Sequence, residues 1–383
     1  MIPVELAGDG LILRAWRPED ADAVLRACQD PLIQRWTTVP VPYLPEHADS
    51  LIELSQQGWA DETKALFGVF DAGTGELLGS HGLVRLDRDR GVAEAGLWIA
   101  PWARGRGVGT RATRAVAHWA LDVLGLHRLT WLAELGNHAS RLIAERVGFG
   151  FDGIQRALFH DRQGAVVDGW RGVLLPGRIR REPPAWLAPG APGARRAGTF
   201  GRPQPVLDAG PVTLRPPAEK DLDHMVAACR DSESVRWTNV PVPYDVPDAR
   251  WFLDERCRTR WLAGTSAAFA IADSTDRFAG TVDLRIDPTD HDVAELGFLV
   301  APWARRRGYA TAAVRAACAW GFDALGLTRI VWRAHVGNVG SRRVAELAGF
   351  VAEGVQRSSC EQRGERRDGW VAGLLATDRV LVG

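Results

Sequence analysis

Two short runs carry residue types suited to chemistry. Arg104-Gly105-Arg106-Gly107-Val108-Gly109-Thr110 lies between a strand-like and a helix-like segment, and Arg305-Arg306-Arg307-Gly308-Tyr309-Ala310-Thr311 repeats it. Glycines at such a turn let the backbone come close to a ligand, so that successive N–H groups converge on one point. A helix beginning there adds unpaired N–H groups and the positive end of its dipole, which suits a pyrophosphate. The arginines add side-chain charge. No Gly-Lys-Ser/Thr follows, which excludes a P-loop, and the hairpins that precede the turn do not suit a dinucleotide-binding βαβ unit. For one copy alone, a tight turn with solvated arginines is the competing reading.

The second copy decides the organisation of the chain. Arg35-Trp36-Thr37-Thr38-Val39-Pro40-Val41-Pro42-Tyr43 returns 201 residues later as Arg236-Trp237-Thr238-Asn239-Val240-Pro241-Val242-Pro243-Tyr244. From Pro101 to Phe149, 26 of 49 positions are identical at that offset, without a gap. Each copy is long enough for a full domain rather than a solenoid unit. The expected division is a first domain over 1–176, a linker over 177–205 and a second domain over 206–383. Proline and glycine are dense enough in the linker that no helix or central strand is expected there.

The elements that must position the turn read as follows. Leu11 to Arg14 is a short strand, and a helix starts at Pro18-Glu19-Asp20, with proline and acids in its first turn. The Val-Pro-Val-Pro-Tyr stretch is a loop, because two prolines forbid ladder pairing. A second helix runs from about Pro45 to Gln57. Three strands follow at 65–70, 77–86 and 93–99, joined by hairpin turns. After the glycine-rich turn, Val108, Ala112, Ala115, Val116, Trp119 and Val123 keep a helical period up to Gly125. A strand at 128–133, a helix at 139–147 and a strand at 169–174 close the copy. This order describes a mixed, largely antiparallel sheet flanked by helices, an α/β fold.

Composition narrows the classes of function. Lys+Arg 47 balances Asp+Glu 47, so no global field favours nucleic acid or an anionic membrane. Five scattered cysteines without CxxC spacing suit reduced thiols better than disulfides or a zinc site, and no metal site is expected. With no leader-like start and no long apolar run, a cytoplasmic location is expected.

Arg104-x-x-Gly107-x-Gly109 and Arg305-x-x-Gly308-x-Ala310 match the signature of the GNAT superfamily of N-acetyltransferases. Asn137-His138-Ala139-Ser140 with Gly148-Phe149, and Asn338-Val339-Gly340-Ser341 with Gly349-Phe350, resemble the Rim-type branch that acetylates ribosomal protein N-termini. Both copies resemble it end to end. The resemblance implies acetyl-CoA as donor, its pyrophosphate on residues 104–110 and 305–311. It also implies a V-shaped split beside the family's fourth strand, where the pantetheine arm lies as an added strand. Backbone groups of Trp98 and Ile99, and of Leu299 and Val300, would line it, with Asn137 and Asn338 meeting the pantetheine amide.

An amine must be neutral to attack a thioester, so a base is needed, and the departing thiolate gains from an acid. Glu94 and Glu295 stand ten residues before the leading arginines, where several family members hold the base. Their alternative role is a cross-strand ion pair with Arg85 or Arg285. The family's usual tyrosine acid is replaced by Ala144 and Ala345, so Ser140 and Ser341 are the candidate acids. Tyr43, Tyr244, His81 and Asp283 are the candidate acceptor contacts, whereas Trp36 and Trp237 are expected as core anchors. The acceptor is expected to be a small-molecule amine or a peptide N-terminus. Another donor such as succinyl-CoA, or acyl-CoA binding without turnover, is the alternative. A monomer with an internal pseudo-dimer, or a homodimer, would suit the duplication.

Overall fold

The computed structural model describes residues 1–381. The chain divides into two compact units, Met1–Leu187 and Ala188–Gly383. The first contains β1 (Leu6–Gly8), β2 (Leu11–Ala15), α1 (Ala21–Cys28), α2 (Pro31–Trp36), α3 (Pro45–Ala60), β3 (Ala65–Asp71), β4 (Leu77–Asp87) and β5 (Val92–Ile99). It continues with α4 (Val108–His118), β6 (Arg128–Glu134), α5 (His138–Val147), β7 (Gly150–His160) and β8 (Val166–Leu174). The sheet order is β1-β2-β3-β4-β5-β6-β8-β7, antiparallel except between β5 and β6. The eleven-residue β7, an edge strand that pairs with β8 across two irregularities, was not expected from the sequence. Its residues are mostly exposed, so it lacks the alternation that marks a half-buried strand.

Between β8 and the second unit's sheet lies the stretch expected to be a linker, and it contains α6 (Pro192–Phe200). The helix forms because Pro192 occupies its first turn, where no N–H is needed, and Phe200 closes it by packing edge-on against Trp261. Upstream, Arg180 N–H donates to the Val147 carbonyl at 2.8 Å, and Leu187 is fully buried. The stretch is therefore shared out, 177–187 packing with the first unit and α6 with the second.

The second unit repeats the plan: β9 (Leu207–Asp208), β10 (Thr213–Arg215), α7 (Leu222–Arg230), α8 (Ser232–Trp237), α9 (Val246–Trp251), α10 (Arg260–Ala263), β11 (Ser266–Ala272), β12 (Phe278–Ile286) and β13 (Val293–Val300). After these come α11 (Tyr309–Leu325), β14 (Arg329–His335), α12 (Val339–Leu347), β15 (Val351–Gln362) and β16 (Glu365–Leu375). Its order is β15-β16-β14-β13-β12-β11-β10-β9. Each core is centred on an aromatic cluster: Trp59 and Trp119 edge-on to Phe67 in one, and Trp320 edge-on to Phe269 and stacked on Trp261 in the other. No helix among the described residues is long and apolar enough to cross a membrane.

Candidate active site

The glycine-rich turn connects β5 to α4. Gly105 and Gly107 both have left-handed φ, +74° and +71°, and nothing lies within 4 Å of where a Cβ would stand on either. Arg306 and Gly308 adopt the same conformation in the second unit, φ +61° and +77°. Alternating left-handed residues turn successive N–H groups to one side, which makes an anion-binding nest. The first intrahelical bonds run from Arg111 N–H to Gly107 and from Ala312 N–H to Gly308, so the amides before them have no helical partner.

Arg104 does not add its side chain to this nest. Its guanidinium is bidentate to Asp30, at 2.5 and 3.2 Å, and Asp30 in turn caps α2 through the Leu32 and Ile33 amides. Arg305 makes the equivalent bond to Asp231, the cap of α8, at 2.5 Å. The leading arginines hold the turn, while Arg106, with a loose 3.8 Å contact to Asp71, and Arg306 and Arg307 are exposed beside it. Gly109 has a different reason: a Cβ there would stand 2.5 Å from Ile143 Cδ1 of α5. The second unit carries Ala310 in its place, and Val344 opposite, one methylene smaller.

The split is present in both units. β5 pairs with β6 only from Val92↔Arg128 to Ala95↔Trp131, while β5 continues to Ile99. β13 and β14 part after Leu296↔Trp332. Ala100 N–H donates to Leu78 and Ala301 N–H to Ala279, and antiparallel alternation then turns Trp98 and Leu299 toward the same neighbouring strand. The backbone groups facing the split are those of Leu97 and Ile99, and of Phe298 and Val300. This corrects the expectation for Trp98 and Leu299. Parity set by one anchoring bond is invisible in the sequence.

Beyond the split, Asn137 caps α5 by accepting from Ser140 N–H at 3.2 Å, which leaves its Nδ2 for a ligand. Asn338 and Ser341 repeat this at 3.1 Å. The Trp131 indole N–H donates to Ser140 Oγ at 2.9 Å, and Trp332 to Ser341 at 3.1 Å. Each serine thus accepts from an indole and keeps its own proton to give. Glu94 lies on β5 at the last turn of pairing before the split and lines an open concavity of about 380 Å³ with Asp87, Thr130 and Leu132. Arg85 approaches it at 3.4 Å.

Three acceptor candidates, His81, Tyr43 and Tyr244, are corrected by burial, and the fourth, Asp283, is held in an ion pair. His81 is 1% exposed and sits between β4 and α4, with Nε2 2.9 Å from Thr113 Oγ1. The Thr113 hydroxyl donates to the Gly109 carbonyl at 2.8 Å, so His81 Nε2–H must be the donor. Burial pushes the His81 pKa down to about 3. Tyr43 and Tyr244 are core residues, 4% and 6% exposed, hydrogen-bonded to Cys28 and Cys229, and burial raises both phenols. Asp283 is paired with Arg285 at 2.6 Å. Trp36 and Trp237, expected in the core, are only half-buried at the ends of α2 and α8. Among the described residues no His/Cys/Asp/Glu cluster could hold a metal, and all five cysteines are free.

The family description "Acetyltransferase (GNAT) domain" matches residues 10–150 and 212–351. The chain belongs to this family and is an acyltransferase with two GNAT domains of Rim-like type. The Bacillus subtilis protein YdaF, which bears a provisional ribosomal N-acetyltransferase name, is 36% identical over 134 residues, 34% of this chain and 69% of that protein. An uncharacterised B. subtilis N-acetyltransferase, YoaA, is 26% identical over 43% of this chain and 93% of its own length. Among solved structures, Mycobacterium smegmatis RimJ in complex with CoA-disulfide matches at 24% identity and TM-score 0.41, over 45% of this chain and 87% of that one.

Proposed function

We propose that the protein moves an acetyl group from acetyl-CoA to a primary amine, a peptide N-terminus or a small molecule, in a ternary complex. Coenzyme A supplies the acyl group as a thioester. The chain's residues fit it: a nest of open amides for the pyrophosphate, a free strand edge for the pantetheine amides, and an asparagine Nδ2 at the far side of the split. Glu94 takes a proton from the incoming amine, directly or through water, so that the nitrogen lone pair forms the new C–N bond as the C–S bond breaks. A backbone N–H in the split donates to the carbonyl oxygen as it gains charge. Ser140 gives its proton to the departing sulfur.

The observation that carries this reading is the parting of β5 from β6 directly ahead of a nest of unpaired amides. It is tested by thiol release from acetyl-CoA across a panel of amines and N-terminal peptides, with CoA binding followed by calorimetry. Saturable binding and amine-dependent release are expected. Absence of binding would overturn the proposal.

A further inference from the structure

The repeat is not symmetric where the base would act. In the first unit β4 carries a bulge: Leu83 pairs with Ala95 and Arg85 with Glu94, leaving Val84 unpaired. In the second unit the same stretch runs without interruption, Leu284 opposite Leu296 and Arg285 opposite Glu295. A bulge re-aims the residues beside it. Arg85, just after the bulge, has a side chain 81% exposed and makes one loose contact with Glu94. Val84 lies over Gly96 instead.

Without the bulge, Arg285 folds flat across β13. A Cβ on Gly297 would stand 2.4 Å from its Nη1 and 2.5 Å from Asp283 Oδ1, so this ion pair covers the strand where Val84 stands in the other unit. Glu295 Oε1 accepts from Arg285 Nη2 at 2.7 Å. Its Oε2 accepts from Arg333 Nη1 at 2.6 Å. Arg333 occupies the place of Leu132. Both oxygens are therefore held by guanidinium groups, which neither accept a proton nor release one at any ordinary pH. Both oxygens of Glu295 are thus engaged in ion pairs, and an amine approaching it across β13 would have to displace the Asp283–Arg285 pair.

The cofactor side of the second unit shows no such change. Gly308 keeps its left-handed φ, Arg305 keeps its hold on Asp231, the split opens at the same register and Trp332 still orients Ser341. We infer that amine acetylation is carried by the N-terminal unit through Glu94, and that the C-terminal unit loads CoA but does not turn over, its Glu295 serving as the centre of an Asp283–Arg285–Glu295–Arg333 ion-pair cluster. This rests on the proposal that the strand glutamate is the base.

The deciding variant is Glu94→Gln in the full chain. If the N-terminal unit carries the reaction, kcat falls about 100-fold or more, the usual range for losing a general base, and no more than about 1% of the rate remains. If both units work, about half remains. A residual rate near half or above overturns the inference, as does Glu295→Gln removing half of the rate or more. CoA stoichiometry measured on Glu94→Gln must equal that of wild type, which separates loss of the base from misfolding. A stoichiometry of one CoA per wild-type chain removes the loading half of the inference. Wild-type chain that binds CoA but acetylates no amine would instead overturn the proposed reaction, and the assignment of units with it. Glu295→Gln is expected to lower the unfolding midpoint, because it leaves two guanidinium groups facing an uncharged side chain.

Discussion

Arg104 and Asp30, 74 residues apart in sequence, form a bidentate ion pair at 2.5 and 3.2 Å that ties the cofactor turn to the first turn of α2. The same carboxylate is the helix cap, so one side chain fixes two elements at once. Asp30→Asn keeps an efficient cap but loses the charge, whereas Asp30→Ala loses both. The Ala variant is expected to cost about 1 kcal/mol more than the Asn variant in denaturant midpoint, the usual worth of a cap. Both should weaken CoA binding, since Arg104 is then free to move the turn. Equal stability of the two variants would show that the cap contributes nothing.

His81 and Thr113 form a buried polar pair whose counterparts are Val282 and Val314. Thr113→Val leaves the His81 N–H without an acceptor and should cost about 1–3 kcal/mol. The double variant with His81→Val should cost less than Thr113→Val alone, as the other unit already shows a stable apolar version. A double-mutant cycle by urea unfolding measures this directly.

The same histidine sets a pH dependence. It is neutral in the folded chain down to about pH 3 but protonates near 6.5 when unfolded, so the unfolded state binds the extra proton first. Its contribution is fully present above pH 6.5 and is lost as pH falls, with a slope up to about 1.4 kcal/mol per unit. The His81→Val/Thr113→Val chain should show a shallower decline of stability between pH 6.5 and 4. An unchanged slope would mean that other groups govern acid unfolding.

How much of this was legible follows from what each feature depends on. The nest was readable because glycine spacing reports backbone conformation directly. The partner of Arg104 was not, since it lies 74 residues away and any of several acids could serve. His81 and Tyr43 looked like acceptor contacts because polarity on a strand or loop says nothing about burial, which tertiary packing decides. The bulge did leave a trace: Arg85 follows His81 by four residues, while Arg285 follows Val282 by three. That one-residue insertion within the strand marks the place where one copy is bent and the other is not.

Ser140 is expected to act through its own proton, with Trp131 fixing where that proton points. Ser140→Ala should lower kcat by about 10-fold or more while leaving CoA affinity unaltered, as expected for an acid that assists only the departing thiolate. Trp131→Phe keeps the hydroxyl and most of the packing but removes the indole N–H, so a smaller loss is expected. If Trp131→Phe lowers kcat as far as Ser140→Ala, orientation and not the hydroxyl itself is the limiting factor.

Gly109 and Ile143 are matched in size to each other, as Ala310 and Val344 are in the second unit. Alanine favours a helix over glycine by about 1 kcal/mol, so Gly109→Ala should stabilise α4 if space allows. With Ile143 in place the new methyl stands 2.5 Å from Cδ1, and the gain is offset by crowding. In an Ile143→Val background, which copies the other unit, the crowding is relieved and the gain should emerge. The two substitutions are therefore predicted to be non-additive, with a coupling of about 0.5 kcal/mol or more. Additive midpoints would mean that α4 and α5 adjust independently, and that the paired change in the repeat has no packing origin.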